Sequence, residues 1–251
     1  MRAQWGEYKF PIAISAAALY NIPCKYPEIP GVKSMDGERL GRYTLRQEPG
    51  VFPLGRDSLL LGAFATVRSG WSVCDLGCGG GVLLLLLAQR GEALRLQGVE
   101  LNPRAAELAR RNLAENGLEG QILTGDLTAP EGLSPGQYDL IICNPPYFAL
   151  GTGDSGGPAR CEERLDLPRL CAAAGRLVRN GGRFALCYRP ERLPELTQRL
   201  REAQLEPKRL QFAHHSPDRR PYTLLLECVK QGRPGLEVLP PLFTGTARQE
   251  E

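Results

Sequence analysis

The sequence predicts an α/β protein built on a doubly wound sheet of seven strands, mostly parallel, with helices on both faces. From Leu40 onward, short apolar segments alternate with helical segments of roughly ten residues, a pattern typical of parallel sheets. The last two predicted strands, at 208–212 and 222–230, are joined by a segment without helical periodicity. Such a link suits a hairpin, so we expect one antiparallel strand.

Turn and capping residues delimit the predicted elements. Asp57 precedes an apolar run and is the expected acidic cap of the first helix. Asn102 is the predicted N-cap of a later helix, with Pro103 at its first position and Gly117 just past its end. Asn180, followed by two glycines, predicts the end of another helix. In chain order we predict a helix at 58–65, a strand at 71–75, a helix at 82–89, a strand at 94–100, a helix at 103–116, strands at 121–124 and 138–143, a helix at 167–178, a strand at 183–188, a helix at 194–204, and strands at 208–212 and 222–230.

Composition limits the function classes only broadly. A chain of 251 residues allows one sizeable domain, and a net charge of +3 permits a nucleic-acid partner without requiring one. The longest apolar run, at 82–88, is far shorter than a membrane span. We therefore expect a cytoplasmic protein without membrane attachment.

The cysteines and histidines do not suggest a disulfide framework or a metal site. Half of the cysteines lie in predicted strands, where a free cysteine behaves as a small buried apolar residue. These are Cys74, Cys143, Cys187 and Cys228. Cys78 completes a single C-x3-C with no second pair, and the adjacent His214 and His215 would point in opposite directions on an extended chain. We expect reduced core thiols and no bound metal.

The chain is expected to divide into three segments. Residues 1–39 form an N-terminal extension that is rich in proline before Met35 and lacks periodicity, which suggests an irregular segment or a start at Met35. Residues 40–231 form the α/β domain. Residues 232–251 form a tail rich in proline and glycine, which we expect to be irregular.

A glycine-rich loop follows the first strand of this domain and predicts a ligand site. The loop is Leu-Gly-Cys-Gly-Gly-Gly at 76–81, and glycine allows the backbone to turn tightly and approach a ligand closely. Its G-x-G-x-G spacing departs from the G-x-G-x-x-G of dinucleotide sites. Asp75, just before it, would repel a diphosphate but can pair with a charged amino group such as that of methionine. Glu100 can accept from two ribose hydroxyls, and Asp126 from an adenine amine.

This succession of motifs resembles the cofactor half of the class I methyltransferases. The similarity covers 71–127 and lies in Asp-Leu-Gly-Cys-Gly-Gly-Gly after one strand, Val-Glu after the next and Gly-Asp after the third. The resemblance implies a Rossmann-like class I methyltransferase fold with S-adenosylmethionine as cofactor. The expected cofactor-binding residues are Asp57, Asp75, Gly77, Cys78, Gly79, Glu100, Leu101, Asp126, Leu127 and Asn144.

The segment after the fourth strand predicts the chemistry. Asn144, Pro145, Pro146 and Tyr147 follow an apolar strand directly, and paired prolines fix the backbone rigidly. Asn144 can present its side-chain oxygen, and Pro145 its carbonyl, to one planar amino group, while Tyr147 offers a flat face for stacking. Proximity and electrostatic placement then suffice for methyl transfer without a strong base. The motif resembles that of methyltransferases acting on adenine or glutamine amide nitrogens.

Flanking segments narrow the acceptor. The stretch 52–61, together with 189–193, 206–210 and 222–230, resembles the family that methylates the N6 amine of an adenine in the anticodon loop of valine tRNA. The resemblance implies tRNA as the partner, and Asp57 then lies near the cofactor or caps its helix. Alternatives are an N5-glutamine methyltransferase acting on a release factor and an amino-methyltransferase of rRNA or DNA. A nicotinamide-dependent oxidoreductase and a non-catalytic RNA-binding module remain as other classes.

Overall fold

A computed structural model of the protein describes residues 37–145 and 166–245. Its strands are β1 (Glu38–Leu40), β2 (Tyr43–Leu45), β3 (Ser72–Leu76), β4 (Arg95–Glu100), β5 (Gly120–Thr124), β6 (Tyr138–Cys143), β7 (Val178–Tyr188), β8 (Leu205–His214), β9 (Pro221–Lys230), β10 (Glu237–Val238) and β11 (Leu242–Phe243). Its α-helices are α1 (Arg56–Phe64), α2 (Val82–Ala88), α3 (Pro103–Glu115), α4 (Leu167–Leu177) and α5 (Leu193–Glu202), and a short 3-10 helix spans Pro190–Arg192. The N-terminal segment before residue 37 and the residues 146–165 lie outside the described part.

The central sheet has the predicted α/β architecture. Its spatial order is β10-β8-β9-β7-β6-β3-β4-β5, with β11 paired to β8. Strands β3 to β7 pair in parallel, whereas β9 is antiparallel to both β7 and β8. This arrangement confirms the seven predicted strands, mostly parallel with one antiparallel strand, and the short strands β10 and β11 extend the sheet to nine.

Two apolar clusters lie on opposite faces of this sheet, because successive side chains of a strand point to alternate faces. Val73 belongs to one cluster, with leucines of α1 and α2, and the next residue, Cys74, belongs to the other, with leucines of α4 and α5. Helices therefore cover both faces, as predicted. The six cysteines in the described ranges are all buried and unpaired.

Three local expectations were wrong. Asp57 does not cap α1, because the helix begins at Arg56, one residue before Asp57, and its N-cap is Gly55. The glycines at 181 and 182 do not form a loop after α4. They lie within β7, where the register with β6 shifts between Tyr138 and Leu140, so a bulge absorbs the extra residues. The C-terminal tail is not irregular throughout, since β10 and β11 pair in parallel with β8.

The hairpin of β1 and β2 is attached to α3 by two asparagines one turn apart. Asn116 accepts from the backbone N–H of Thr44 at 2.8 Å and donates to its carbonyl at 2.7 Å. Asn112, fully buried, binds the N–H and C=O of Arg46 in the same way and also donates to the carbonyl of Gly80 at 2.8 Å. The hairpin, α3 and the glycine-rich loop are thus held together by side-chain amides. The predicted N-cap of α3 is confirmed, since Asn102 accepts from the N–H of Arg104.

Within residues 37–145 and 166–245, none of the helices has the length and apolar character needed to span a bilayer.

Candidate active site

The candidate site lies where the strand order of the sheet reverses, at the carboxyl ends of β3 and β6. Ligands of open parallel sheets bind at such points because the loops after the two strands diverge there. Asp75 and Gly77, at the end of β3, and Asn144, directly after β6, line the same cavity. Phe52 and Ser58 line it from the segment before β3.

The glycine-rich loop makes a turn that other residues adopt only with strain. Gly77 and Gly81 have φ angles of 83° and 84°. The N–H groups of Gly77 and Cys78 both donate to the carbonyl of Val99, at 2.8 and 3.0 Å, which fixes the loop against the end of β4. A Cβ atom at Gly79 would meet no atom of the described chain within 4 Å. The loop therefore presents bare backbone to an open space.

Asp75 is a buried acid whose carboxyl group has no hydrogen-bond partner in the described part of the chain. The residue is only 1% exposed, and neither of its carboxyl oxygens makes a hydrogen bond within residues 37–145 and 166–245. Burial raises the pKa of the Asp75 carboxyl well above its usual range, and the nearby Glu100 raises it further. A buried polar group without hydrogen bonds costs free energy, and a bound cationic group would offset that cost. This arrangement is therefore typical of a site that binds a cationic ligand.

Glu100 ends β4 and is held by backbone donors. Its two carboxylate oxygens accept from the N–H of Gly79 and from the N–H of Asn102, each at 2.8 Å. Each oxygen keeps lone-pair capacity for another donor. Leu101, next in the chain, is 53% exposed and leaves an apolar side chain open to solvent beside the carboxylate. These two residues combine an acceptor pair with an apolar surface.

Asp126 and Leu127 follow β5, the next strand in the sheet. One oxygen of Asp126 accepts from the N–H and hydroxyl of Thr128, at 2.8 and 2.7 Å, and these hydrogen bonds lower the pKa of the carboxyl. The other oxygen lies 3.8 Å from Arg169. Leu127 packs toward Gly77, where an added Cβ would stand 3.2 Å from its Cδ2. Leu127 therefore borders the glycine-rich loop, whereas the side chain of Asp126 is exposed to solvent.

Asn144 is half-buried and both ends of its side-chain amide make hydrogen bonds. Its Nδ2 donates to the Oγ of Ser58 at 2.9 Å, and its Oδ1 accepts from the thiol of Cys187 at 2.9 Å. Pro145 is buried directly after it. The predicted catalytic residues Pro146 and Tyr147 lie outside the described residues.

The structure brings Ser58, rather than the predicted Asp57, to the cavity wall. Burial raises the pKa of Asp57 to about 6, against the lowering effect of Arg56. Burial also raises the pKa of Cys187 and of Tyr222, and the charge of Asp57 adds to both shifts. Sequence reasoning missed Phe52 and Ser58 as individual site residues, although both fall in the stretch 52–61 whose resemblance it noted.

No group of three or more metal-ligating side chains occurs among residues 37–145 and 166–245. The Nδ1 of His214 lies 2.7 Å from the carbonyl of Arg219, and the ring of His215 stacks on Tyr222 with centroids 4.3 Å apart. The two histidines therefore make separate contacts, as their adjacency on a strand end implied.

Comparison with known proteins connects this site to a family. The methyltransferase small domain family matches residues 42–192, which include the glycine-rich loop and Asn144. A tRNA1(Val) (adenine(37)-N6)-methyltransferase of Porphyromonas gingivalis is 35% identical over 198 residues, which are 74% of this chain and 78% of the relative. A protein of the same name from a Flavobacteriaceae bacterium is 30% identical over 59% of this chain and 64% of its own length.

A solved structure supports the fold. The chain superposes on a predicted O-methyltransferase from Agrobacterium tumefaciens with a TM-score of 0.61 and 23% identity, covering 74% of this chain and 86% of the other. At that identity the likeness concerns the fold alone, which is the Rossmann-like class I methyltransferase fold. The chain belongs to the methyltransferase small domain family, within which it is related to the tRNA1(Val) (adenine(37)-N6)-methyltransferases.

Proposed function

We propose that this protein transfers a methyl group from S-adenosylmethionine to the exocyclic N6 amine of an adenine in the anticodon loop of valine tRNA. The observation that carries the proposal is that Asp75 and Asn144 line one cavity. The same cavity thus holds a buried acid that makes no hydrogen bond within residues 37–145 and 166–245, suited to a cationic ligand, and an amide suited to an amino acceptor. The relatives named above supply the identity of the acceptor.

The residues around the glycine-rich loop fit S-adenosylmethionine. The unpartnered oxygens of Asp75 suit its α-ammonium group, and the open backbone at Gly79 leaves room for its methionine moiety. Glu100 would accept from the ribose hydroxyls, and Leu101, Leu127 and Asp126 would hold the adenine. When bound, S-adenosylmethionine supplies an electrophilic methyl group on a sulfonium.

Asn144 and Pro145 orient the acceptor. The side-chain oxygen of Asn144 and the main-chain carbonyl of Pro145 accept the two hydrogens of the adenine amine and direct its lone pair at the methyl carbon. The nitrogen–carbon bond forms as the carbon–sulfur bond breaks, and the methylated nitrogen then loses one proton to water. Placing the nitrogen and aligning its lone pair account for the acceleration. A base in an RNA loop is already partly unstacked, so moving it into the cavity costs little.

The substrate is tested on valine tRNA from a strain that lacks this gene. We expect that tRNA to lack one N6-methyladenosine near the anticodon, and the purified protein with S-adenosylmethionine to restore it, as measured by nucleoside mass spectrometry. The Asn144→Ala protein is the control and should not restore it. If N6-methyladenosine persists in the deletion strain while a release-factor glutamine loses its methyl group, the alternative acceptor is correct.

If Asp75 binds the cofactor, the Asp75→Asn substitution should change both the affinity for S-adenosylmethionine and the pH dependence of the free energy of unfolding. Asp75→Asn should weaken S-adenosylmethionine binding by about 1–3 kcal/mol, because a charged hydrogen bond is lost. The raised pKa of Asp75 means that the folded state favours the protonated acid, so its contribution to stability is present at low pH and is lost as the pH rises through the raised pKa. Asp75→Asn, which cannot titrate, should lack this pH-dependent contribution to the free energy of unfolding.

Both effects are measurable with the purified protein. Calorimetric titration gives the affinity, and thermal unfolding of the unliganded wild type and variant across a pH series gives the stability difference. Identical cofactor affinity in Asp75→Asn and wild type would remove Asp75 from the site. Binding of a nicotinamide dinucleotide more tightly than S-adenosylmethionine would overturn the cofactor assignment altogether.

A further inference from the structure

The amide of Asn144 is held from two sides by elements distant in the chain. Ser58 lies in the first turn of α1 and is 7% exposed, and its Oγ accepts from Asn144 Nδ2 at 2.9 Å. Cys187 lies near the end of β7, is fully buried, and its thiol donates to Asn144 Oδ1 at 2.9 Å. The pairing of Cys143 with Leu186 in the sheet places Cys187 beside Asn144.

These contacts restrict the amide to one orientation. A sulfur atom is a weak hydrogen-bond acceptor, so rotating the amide would set its N–H2 group against a poor partner. Burial raises the pKa of the Cys187 thiol well above its usual range, and the thiol therefore stays protonated and remains a donor. The weak thiol bond occupies one lone pair of Oδ1 and leaves the other for an incoming amine.

We propose that Ser58 and Cys187 are positioning residues that hold the Asn144 amide in one orientation at the wall of the cavity where the acceptor amine would bind. This inference rests on the proposed amino methylation and adds two residues to its machinery. Each acts by preventing rotation of Asn144, so that the acceptor meets a preorganised oxygen and no reorientation precedes the transfer.

The test compares matched substitutions in methyl transfer to valine tRNA. Ser58→Ala and Cys187→Ala should each lower kcat on the order of tenfold, with KM for tRNA and Kd for S-adenosylmethionine within about twofold of wild type. Ser58→Thr and Cys187→Ser keep a hydroxyl donor or acceptor and should recover most of the loss. Cys228→Ala, at a fully buried cysteine of β9, removes the same atom from the core and should leave kcat unchanged.

Combined substitutions distinguish a loss of kcat caused by a damaged fold from one caused by a misplaced Asn144 amide. In an Asn144→Ala background, Ser58→Ala and Cys187→Ala should have no further effect on kcat, because the residue through which they act is gone. Unchanged kcat in both single variants, or an equal fall with and without Asn144, overturns the proposal.

A measurement without turnover distinguishes this proposal from the proposed function. The side-chain N–H2 resonances of Asn144, assigned by their loss in Asn144→Ala, should shift in Ser58→Ala and in Cys187→Ala but not in Cys228→Ala. If wild type methylates no tRNA while these resonances respond, the substrate assignment fails and the positioning stands. If wild type is active and neither the resonances nor kcat respond, the positioning fails.

Discussion

Replacing Asn144 with alanine is expected to lower kcat for methyl transfer by a factor of about 10²–10³, while the affinity for S-adenosylmethionine stays nearly unchanged. The reason is geometric. In the proposed mechanism the amide oxygen accepts a hydrogen bond from the acceptor amine, whose nitrogen gains positive charge only as the methyl group is transferred. Asn144 lines the cavity beside Asp75, so its loss removes the acceptor contact and leaves the buried acid in place.

Single-turnover methyl transfer and calorimetric binding of S-adenosylmethionine give the two quantities separately. Asn180→Ala is a suitable control, because Asn180 is an exposed asparagine in the bulge of β7, away from the cavity. Wild-type activity in Asn144→Ala would exclude the segment after β6 from the mechanism. A parallel loss of cofactor affinity would assign Asn144 to the cofactor instead of the acceptor.

Glu227 is the residue whose loss is expected to destabilise the fold most. It lies on β9, is fully buried, and its carboxylate is 2.6 Å from Nη1 of Arg183 and 3.3 Å from Nη1 of Arg209. It also accepts from the N–H and hydroxyl of Thr66, at 2.7 and 2.9 Å. Thr66 follows α1, so this acid connects three strands to the helix that carries Ser58.

Glu227→Ala should lower the free energy of unfolding by about 3–5 kcal/mol, because two neighbouring guanidinium groups lose their shared counter-charge in a partly buried setting. Glu227→Gln keeps the shape and some hydrogen bonds and should cost less. Urea unfolding measures both.

The control for this substitution is Glu191→Ala. Glu191 is 67% exposed and 3.8 Å from Arg189, and an exposed pair of this kind contributes at most about 1 kcal/mol. A loss below about 1 kcal/mol in Glu227→Ala would mean that water replaces the carboxylate in the network.

Local signals carried the prediction of the sheet and of the cofactor loop. The glycines after β3 specify a tight turn wherever the strand and helix are placed, because only glycine adopts their positive φ angles without strain. The missing helix between β8 and β9 specifies a hairpin, because a parallel return requires a crossover. Asp75, Glu100 and Asn144 stand at strand ends, and parallel strands bring such ends to one edge of the sheet.

Contacts between distant segments could not be predicted in the same way. The bulge in β7 depends on its register with β6, and the strands β10 and β11 exist only because the exposed edge of β8 offers unpaired backbone groups. The N-cap of α1 is Gly55 rather than Asp57, so the helix begins two residues before its first buried residue, Ser58.

The sequence by itself determined the order of the seven central strands and the five helices, the glycine-rich loop and the residues at the strand ends, since each depends on conformational preferences within a few neighbouring residues. Only the tertiary structure decided what surrounds them. Ser58 meets Asn144 across 86 residues and Cys187 meets it across 43. Such contacts are set by how α1 packs against β6 and β7, and packing is a property of the whole apolar core that no local pattern records.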